Sequence, residues 1–330
     1  MMTVVFGIFL LTLLVITAVG IIRSENLFVA VMLTGIFSLL MAANFFILDA
    51  ADVALTEAAV GAGISTVLLL GALALTPPHE RHERSRTGRW LAVGVVTLTT
   101  LVVIYATFEK PRLGDPEAPV HQHVAPWYLE QTPVLVGIPN VVTAVLGSFR
   151  AYDTLGEVIV VLTAGIGVLF LLGLPGAVGD RKREDLATGR TYLSHHLVPQ
   201  VVGRLLTPFI LLFALYVQFH GEYGPGGGFQ AGAIFAAAII LYALIEGERE
   251  ALEVMSPRLL LWMMAGGALL YGGVGIVTML LGGNFLDYDV LASNPVKGQQ
   301  WGIIAIELGV GITVASVLLA IFHAFAARGR

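Results

Sequence analysis

No cysteine occurs in the 330 residues, which excludes disulfides, thiolate metal sites and iron–sulfur ligation. Charge is also scarce: 12% of residues are Asp, Glu, Lys or Arg, about half the share of a soluble domain. Lysine is the scarcest of these. Lys110, Lys182 and Lys297 all lie in connections between apolar runs, so this chain has no lysine-based proton relay within a membrane. What fills the sequence is apolar, with 57% hydrophobic residues and a mean hydropathy of +0.85. Runs of about 20 apolar residues suit a hydrocarbon core about 30 Å thick. They are continuous rather than alternating, which excludes a β-barrel. The chain therefore reads as an all-α, polytopic membrane helix bundle. Its net charge of −5 says little about nucleic acid, which is not an expected partner. The first run has neither a basic leader nor an obvious cleavage site, and reads as a retained helix.

Nine spanning segments are expected, at 3–22, 27–48, 52–76, 90–108, 154–174, 200–219, 228–246, 258–282 and 301–325. Basic residues favour the cytoplasmic side. With the N-terminus outside and the C-terminus cytoplasmic, only Lys110, Arg112, Arg150 and Lys297 of the 18 Lys and Arg fall on the outer side. The opposite orientation inverts that ratio. Two charged joints, one starting at His79-Glu80-Arg81-His82-Glu83-Arg84 and one containing Gly179 to Asp185, divide the chain into parts of three, two and four helices. The expected domains are 1–78, 79–180 and 181–330.

The outer segment 109–153 carries Pro111, Pro116, Pro119, Pro126, Pro133 and Pro139, so its first half cannot be one helix. Asn140 to Phe149 reads as a short amphipathic helix, lying at the outer interface or dipping into protein. Trp127 and Tyr128 suit the headgroup region.

Acids at membrane depth are the main functional clues, because a central charge costs roughly 2.5–3.5 kcal/mol on insertion scales. Glu57 lies in Thr56-Glu57-Ala58-Ala59-Val60-Gly61-Ala62-Gly63, with Asp49 and Asp52 nearer the outer end. The small residues let a neighbouring helix or water approach. Glu57 reads either as a proton-exchanging carboxyl or as neutral, hydrogen-bonded packing. Asp153 and Glu157 are i and i+4, on one helical face, where two carboxylates suit a proton or a hard cation such as sodium. Asp153 also fits the role of helix cap. Glu307, between Ala305 and Gly309, is a further candidate for ion translocation. His323 reads as a packing or snorkelling residue. His195 and His196 are adjacent and have no acidic or thiol company, so no metal site is expected there.

Between the sixth and seventh runs lies a glycine-dense hairpin, Phe219-His220-Gly221-Glu222-Tyr223-Gly224-Pro225-Gly226-Gly227-Gly228-Phe229. It reads as a packed structural element rather than a bare connector. Gly228, Gly232 and Ala236 form a small-residue stripe that permits close helix packing. The glycines are not a phosphate loop, since the Gly-Lys-Ser/Thr ending and the preceding strand are missing.

On these motifs the chain resembles Mrp-type multisubunit cation/proton antiporters. Phe219-His220-Gly221, Pro225 to Phe229 and Gly232 make the final 140 or so residues similar to MrpB. Asp52 to Gly63, and Asn140-Val141-Val142 with Phe149 to Glu157, resemble the three-helix and two-helix parts of the C-terminal tail of MrpA. Related membrane-bound hydrogenases carry the same pieces as separate small subunits. The antiporter-like bulk of MrpA, with its buried lysines, is missing, and Glu222-Tyr223 departs from the commoner hairpin. The resemblance implies a component of a sodium (or other monovalent cation)/proton antiporter in a bacterial or archaeal plasma membrane. It implies no cofactor. Its partners would be the antiporter-like MrpA and MrpD and the small MrpC, MrpE, MrpF and MrpG, with Na+ and H+ as the transported ions. Glu57 and Glu157 match acidic positions implicated in ion passage in that family. The third helix resembles an irregular one in complex I, a distortion that Gly61 and Gly63 would tolerate. A component of a redox-driven pump and a structural scaffold are the alternatives.

Overall fold

A computed structural model describes residues 2–80, 86–112, 114–173 and 197–328. Arg81 to Arg84, the second joint around Gly179 to Asp185, and the His195-His196 pair lie outside the described residues. Among those described there are no strands, and nine helices are long and apolar enough to cross a membrane. Helix α1 is Met2–Arg23 and α2 is Leu27–Ile47. Asn26 caps α2, its side chain accepting from the backbone N–H groups of Phe28 and Val29. The third span, α3, is Ala51–Leu73. It is α-helical over Ala51–Thr56, π-helical over Glu57–Ser65 and α-helical again from Thr66. The distortion coincides with Ala58-Ala59-Val60-Gly61-Ala62-Gly63, where glycine weakens the preference for regular helix.

Helix α4, Arg86–Thr107, stands apart, with none of its apolar window buried. The proline-rich segment that follows is broken into α5 (Pro119–Gln122) and α6 (Val124–Leu135). Helix α7, Val141–Ala144, runs into a π-helical turn, Val145–Phe149. This expected amphipathic helix is seated on protein. Gly147 packs on Ile303, and Ser148 Oγ donates to Gln299 Oε1 at 2.6 Å. Trp127 and Tyr128 pack against Phe149, with ring centroids 5.2 and 5.3 Å away.

The remaining spans are α8 (Ala151–Leu172), α9 (Leu197–His220), α10 (Gly228–Glu246), α12 (Pro257–Leu280) and α13 (Pro295–Ala326). A short helix α11 (Glu248–Val254) lies between α10 and α12. The 32-residue α13 is the axis of the molecule, with α8, α10, α12 and the end of α3 packed around it. Close approach is what glycine permits here. A Cβ on Gly232 would stand 2.6 Å from the carbonyl oxygen of Gly311, and one on Gly309 would stand 2.7 Å from that of Gly267. The stripe of Gly228, Gly232 and Ala236 thus meets α13, and Ala236 is fully buried. Tyr271, Ile303, Ile306 and Leu319 fill the core around these crossings. His323 packs rather than snorkels: it is fully buried, with Nδ1 4.0 Å from Glu248 Oε1.

Candidate functional site

The hairpin leaves α9 through a turn in which the Tyr223 and Gly224 N–H groups donate to the His220 carbonyl at 2.9 and 3.1 Å. It closes when Gly227 N–H donates to Val217 O at 3.0 Å. Gly227 has φ +114°, a region that L side chains rarely adopt, and it directly precedes α10. Elements distant in sequence hold the loop. Asn140 is their hub. Its side-chain NH2 donates to the carbonyls of Gly221 (3.0 Å) and Gly224 (2.9 Å) and to Asp52 Oδ1 (3.3 Å). Its side-chain oxygen caps α7 by accepting from Val142 and Thr143, and its backbone N–H donates to Glu222 O. Thr143 Oγ1 donates to Gly221 O at 2.6 Å. One residue past the hairpin, Gln230 Nε2 donates to Thr56 Oγ1 at 2.7 Å.

Glu307 of α13 enters this assembly from the opposite side. A Cβ on Gly221 or Gly227 would lie 3.1 or 3.2 Å from a Glu307 carboxylate oxygen, so only glycine lets the loop close over the acid. Glu307 and Glu222, with Gln218, Phe219 and Ile304, line a cleft of about 40 Å³. Glu222 Oε1 is buried and has no hydrogen-bond partner. Burial raises the Glu222 carboxyl above its ordinary value of 4.5. Glu307 is within electrostatic reach of both Glu222 and Asp52.

Asp52 and Glu307, of the residues singled out from sequence, therefore meet at the hairpin. Glu57 lies a little over one helical turn beyond Asp52 and opens the π-helical stretch. Its Oε1 and Ser38 Oγ of α2 crowd the space above Gly61, 2.6 and 2.8 Å from where a Cβ would be. Asp153 and Glu157 are elsewhere, both exposed on α8. The helix-cap role expected for Asp153 is not what the structure has. Arg150 occupies the cap position, and Asp153 sits in the first turn, paired with the Arg150 guanidinium. The i, i+3 ion pair takes the carboxylate that a cap would have used. Glu157 is near Tyr271, whose hydroxyl donates to Ala151 O at 2.8 Å. His220 faces away from Glu307, stacking on Tyr216 with centroids 4.7 Å apart.

Sequence reasoning missed Asn140 as the hub. The signal was present, since Asn is a favoured helix cap and precedes Val141-Val142-Thr143, but its reach to the hairpin is a matter of tertiary structure. It also left Glu222 without a role, because burial of a loop carboxylate cannot be read from a polar stretch.

Three family matches tile the chain. Residues 12–78 match MbhD, and residues 90–174 match MbhE, both described as subunits of MBH. Residues 198–320 match MnhB, the domain related to the MnhB subunit of Na+/H+ antiporter. A Rhizobium meliloti protein, named as a probable K(+)/H(+) antiporter component of the fused A/B type, is 29% identical over 229 residues. That match covers 62% of this chain and 23% of the relative. The chain thus spans less than a quarter of that relative's length. The Mrp complex from Dietzia sp. DQ12-45-1b contains a chain similar in structure, with a TM-score of 0.74 and 26% identity. The likeness covers 96% of this chain and 34% of that one. The archaeal membrane-bound sulfane sulfur reductase has a chain that matches with a TM-score of 0.52 and 28% identity. That match covers 72% of this chain and 97% of the other.

Proposed function

This chain belongs to the Mrp-type antiporter family as a fusion of MbhD-, MbhE- and MnhB-type domains, and from that premise we propose that it is an ion-conducting and assembly component of a multisubunit monovalent cation/proton antiporter. Its divisions are 1–78, 79–180 and 181–330. Its place is a prokaryotic plasma membrane, with the N-terminus outside and the C-terminus cytoplasmic. Glu57 and Glu157 carry ions on a hydrated path, with Asp52, Asp153 and Glu307 as further acidic stations. The other proton machinery comes from partners: the antiporter-like MrpA and MrpD and the small MrpC, MrpE, MrpF and MrpG. The transported cation is Na+ in this reading; the Rhizobium relative is named for K+.

The observation that carries the reading is the position of Glu57 at the start of a nine-residue π-helical segment inside a membrane-spanning helix. π-Helical turns are rare and cluster at functional sites. An ionisable residue inside the membrane is costly unless it is sheltered and used. Exchange measured in vesicles from cells expressing the whole complex tests this. Glu57→Gln and Glu157→Gln are each expected to abolish cation/proton exchange while the complex still assembles. Full exchange in both variants refutes the roles.

The similarity to the sulfane sulfur reductase chain favours a second reading, in which the chain serves a redox-driven pump. Purification of the intact complex decides. Antiporter components in the preparation support the first reading, and iron–sulfur or nickel proteins support the second.

A further inference from the structure

We propose that Glu222 and Glu307 form a carboxyl pair that holds one exchangeable proton between them across the cleft under the glycine hairpin. The inference deepens the transport reading above and rests on it for its biological sense. The ligand is the proton itself, carried as a neutral carboxyl that donates to its ionised partner directly or through one water.

Four observations on the geometry support it. First, both side chains line one cleft of about 40 Å³, room for one or two waters. Second, no donor among the described residues satisfies either acid there. Glu222 Oε1 is buried and unpartnered, and Glu307 accepts no hydrogen bond, although it is enclosed by Gly221 and Gly227 of the hairpin. A buried acceptor without a donor costs about 1–3 kcal/mol, and a proton on one carboxyl supplies the missing donor. Third, the charges that face Glu307 are of one sign. They are Glu222 from the hairpin and Asp52 from α3, while Tyr271 of α12 is a neutral phenol. Asp52 is itself engaged by the Asn140 amide. Fourth, burial alone already disfavours ionised Glu222. Two carboxylates sharing an apolar cleft do not both ionise readily, so one keeps its proton well above the ordinary carboxylate range. The pair sits where the N-terminal, middle and C-terminal parts of the chain converge, so its protonation acts directly on the contact that joins them.

The test uses the purified complex reconstituted in liposomes. Infrared difference spectra record the C=O stretch of protonated carboxyls across a pH series, beside the pH profile of exchange. In the wild type, a protonated-carboxyl band should persist well above the pH at which an ordinary carboxylate titrates. Glu222→Gln should move the midpoint of its loss to lower pH by about one unit or more, and the exchange profile should move with it. Glu307→Gln should remove that titrating component. Glu222→Asp, which keeps the charge, should retain it. An assembled, active complex in which neither glutamine variant moves band or profile overturns the pair and leaves the transport reading in place. A complex without exchange activity whose band still shifts in Glu222→Gln supports the pair and removes the transport reading.

Discussion

Replacing Gly232 by alanine tests whether glycine at the α10–α13 crossing is what lets the molecule close. The new Cβ would stand 2.6 Å from the Gly311 carbonyl oxygen, 3.0 Å from Val314 Cβ and 3.2 Å from the Ala315 nitrogen. Ordinary contact begins near 3.4 Å, so the helices must separate by 0.8 Å, the difference between 3.4 and 2.6 Å. Two of the three obstructing atoms are backbone, so no side-chain rotation relieves them. Overpacking of this kind costs typically about 1–3 kcal/mol. Against it stands the better helix propensity of alanine, about 0.8–1 kcal/mol over glycine. Gly272→Ala on α12 separates the two effects, because a Cβ there meets nothing within 4 Å. It receives the propensity gain without the clash, so the difference between the variants isolates the cost of overpacking. Thermal denaturation of the detergent-solubilised complex, followed through retention of this chain in the assembled form, measures it. Gly232→Ala is expected to denature below the wild type and Gly272→Ala at or slightly above it. Equal denaturation temperatures for the two variants would refute the claim that α10 and α13 are in backbone contact through this glycine.

Asn140→Ala removes a helix cap worth about 1 kcal/mol and leaves the Gly224 carbonyl without its donor; faster amide hydrogen exchange across 219–229 in the intact complex is the expected outcome. Asn140→Asp keeps the cap acceptor but loses the NH2 donors, so the hairpin should loosen while α7 keeps its protection. Because burial raises the Glu222 carboxyl above 4.5, the folded state binds this proton more tightly than the unfolded chain. Stability from this group is therefore fully present at low pH and falls as pH rises from about the ordinary value through the raised one. Glu222→Gln should flatten that fall in a pH series of denaturation temperatures; an unchanged slope would count against burial of the acid. Tyr271→Phe deletes a buried hydrogen bond to Ala151 O and should lower stability by about 1 kcal/mol, measured by the same denaturation assay.

Much of the architecture was legible because a membrane span is a local property. Length and apolarity of a run suffice to identify it, and the nine helices follow the nine runs to within a few residues. The break in the proline-rich segment follows from proline's missing N–H in the same local way. The π-helical stretch of α3 was legible only through the likeness of Asp52 to Gly63 to an irregular helix. Composition there permits a distortion without requiring one. Asp153 shows the limit of helix-face reasoning. Sharing a face with Glu157 said nothing of Arg150, which took its carboxylate.

Membrane class, the number of spans and the glycine positions at which helices can touch all follow from residues close together in the chain, and so could be read without coordinates. Which acids meet could not. Asp52, Asn140, Glu222 and Glu307 are separated by 88, 82 and 85 positions in sequence, and converge because glycine-lined crossings draw α10 against α13 and the hairpin over Glu307. Such convergence is a property of side-chain volume and backbone separation across distant helices, and no local pattern of hydrophobicity or charge encodes it.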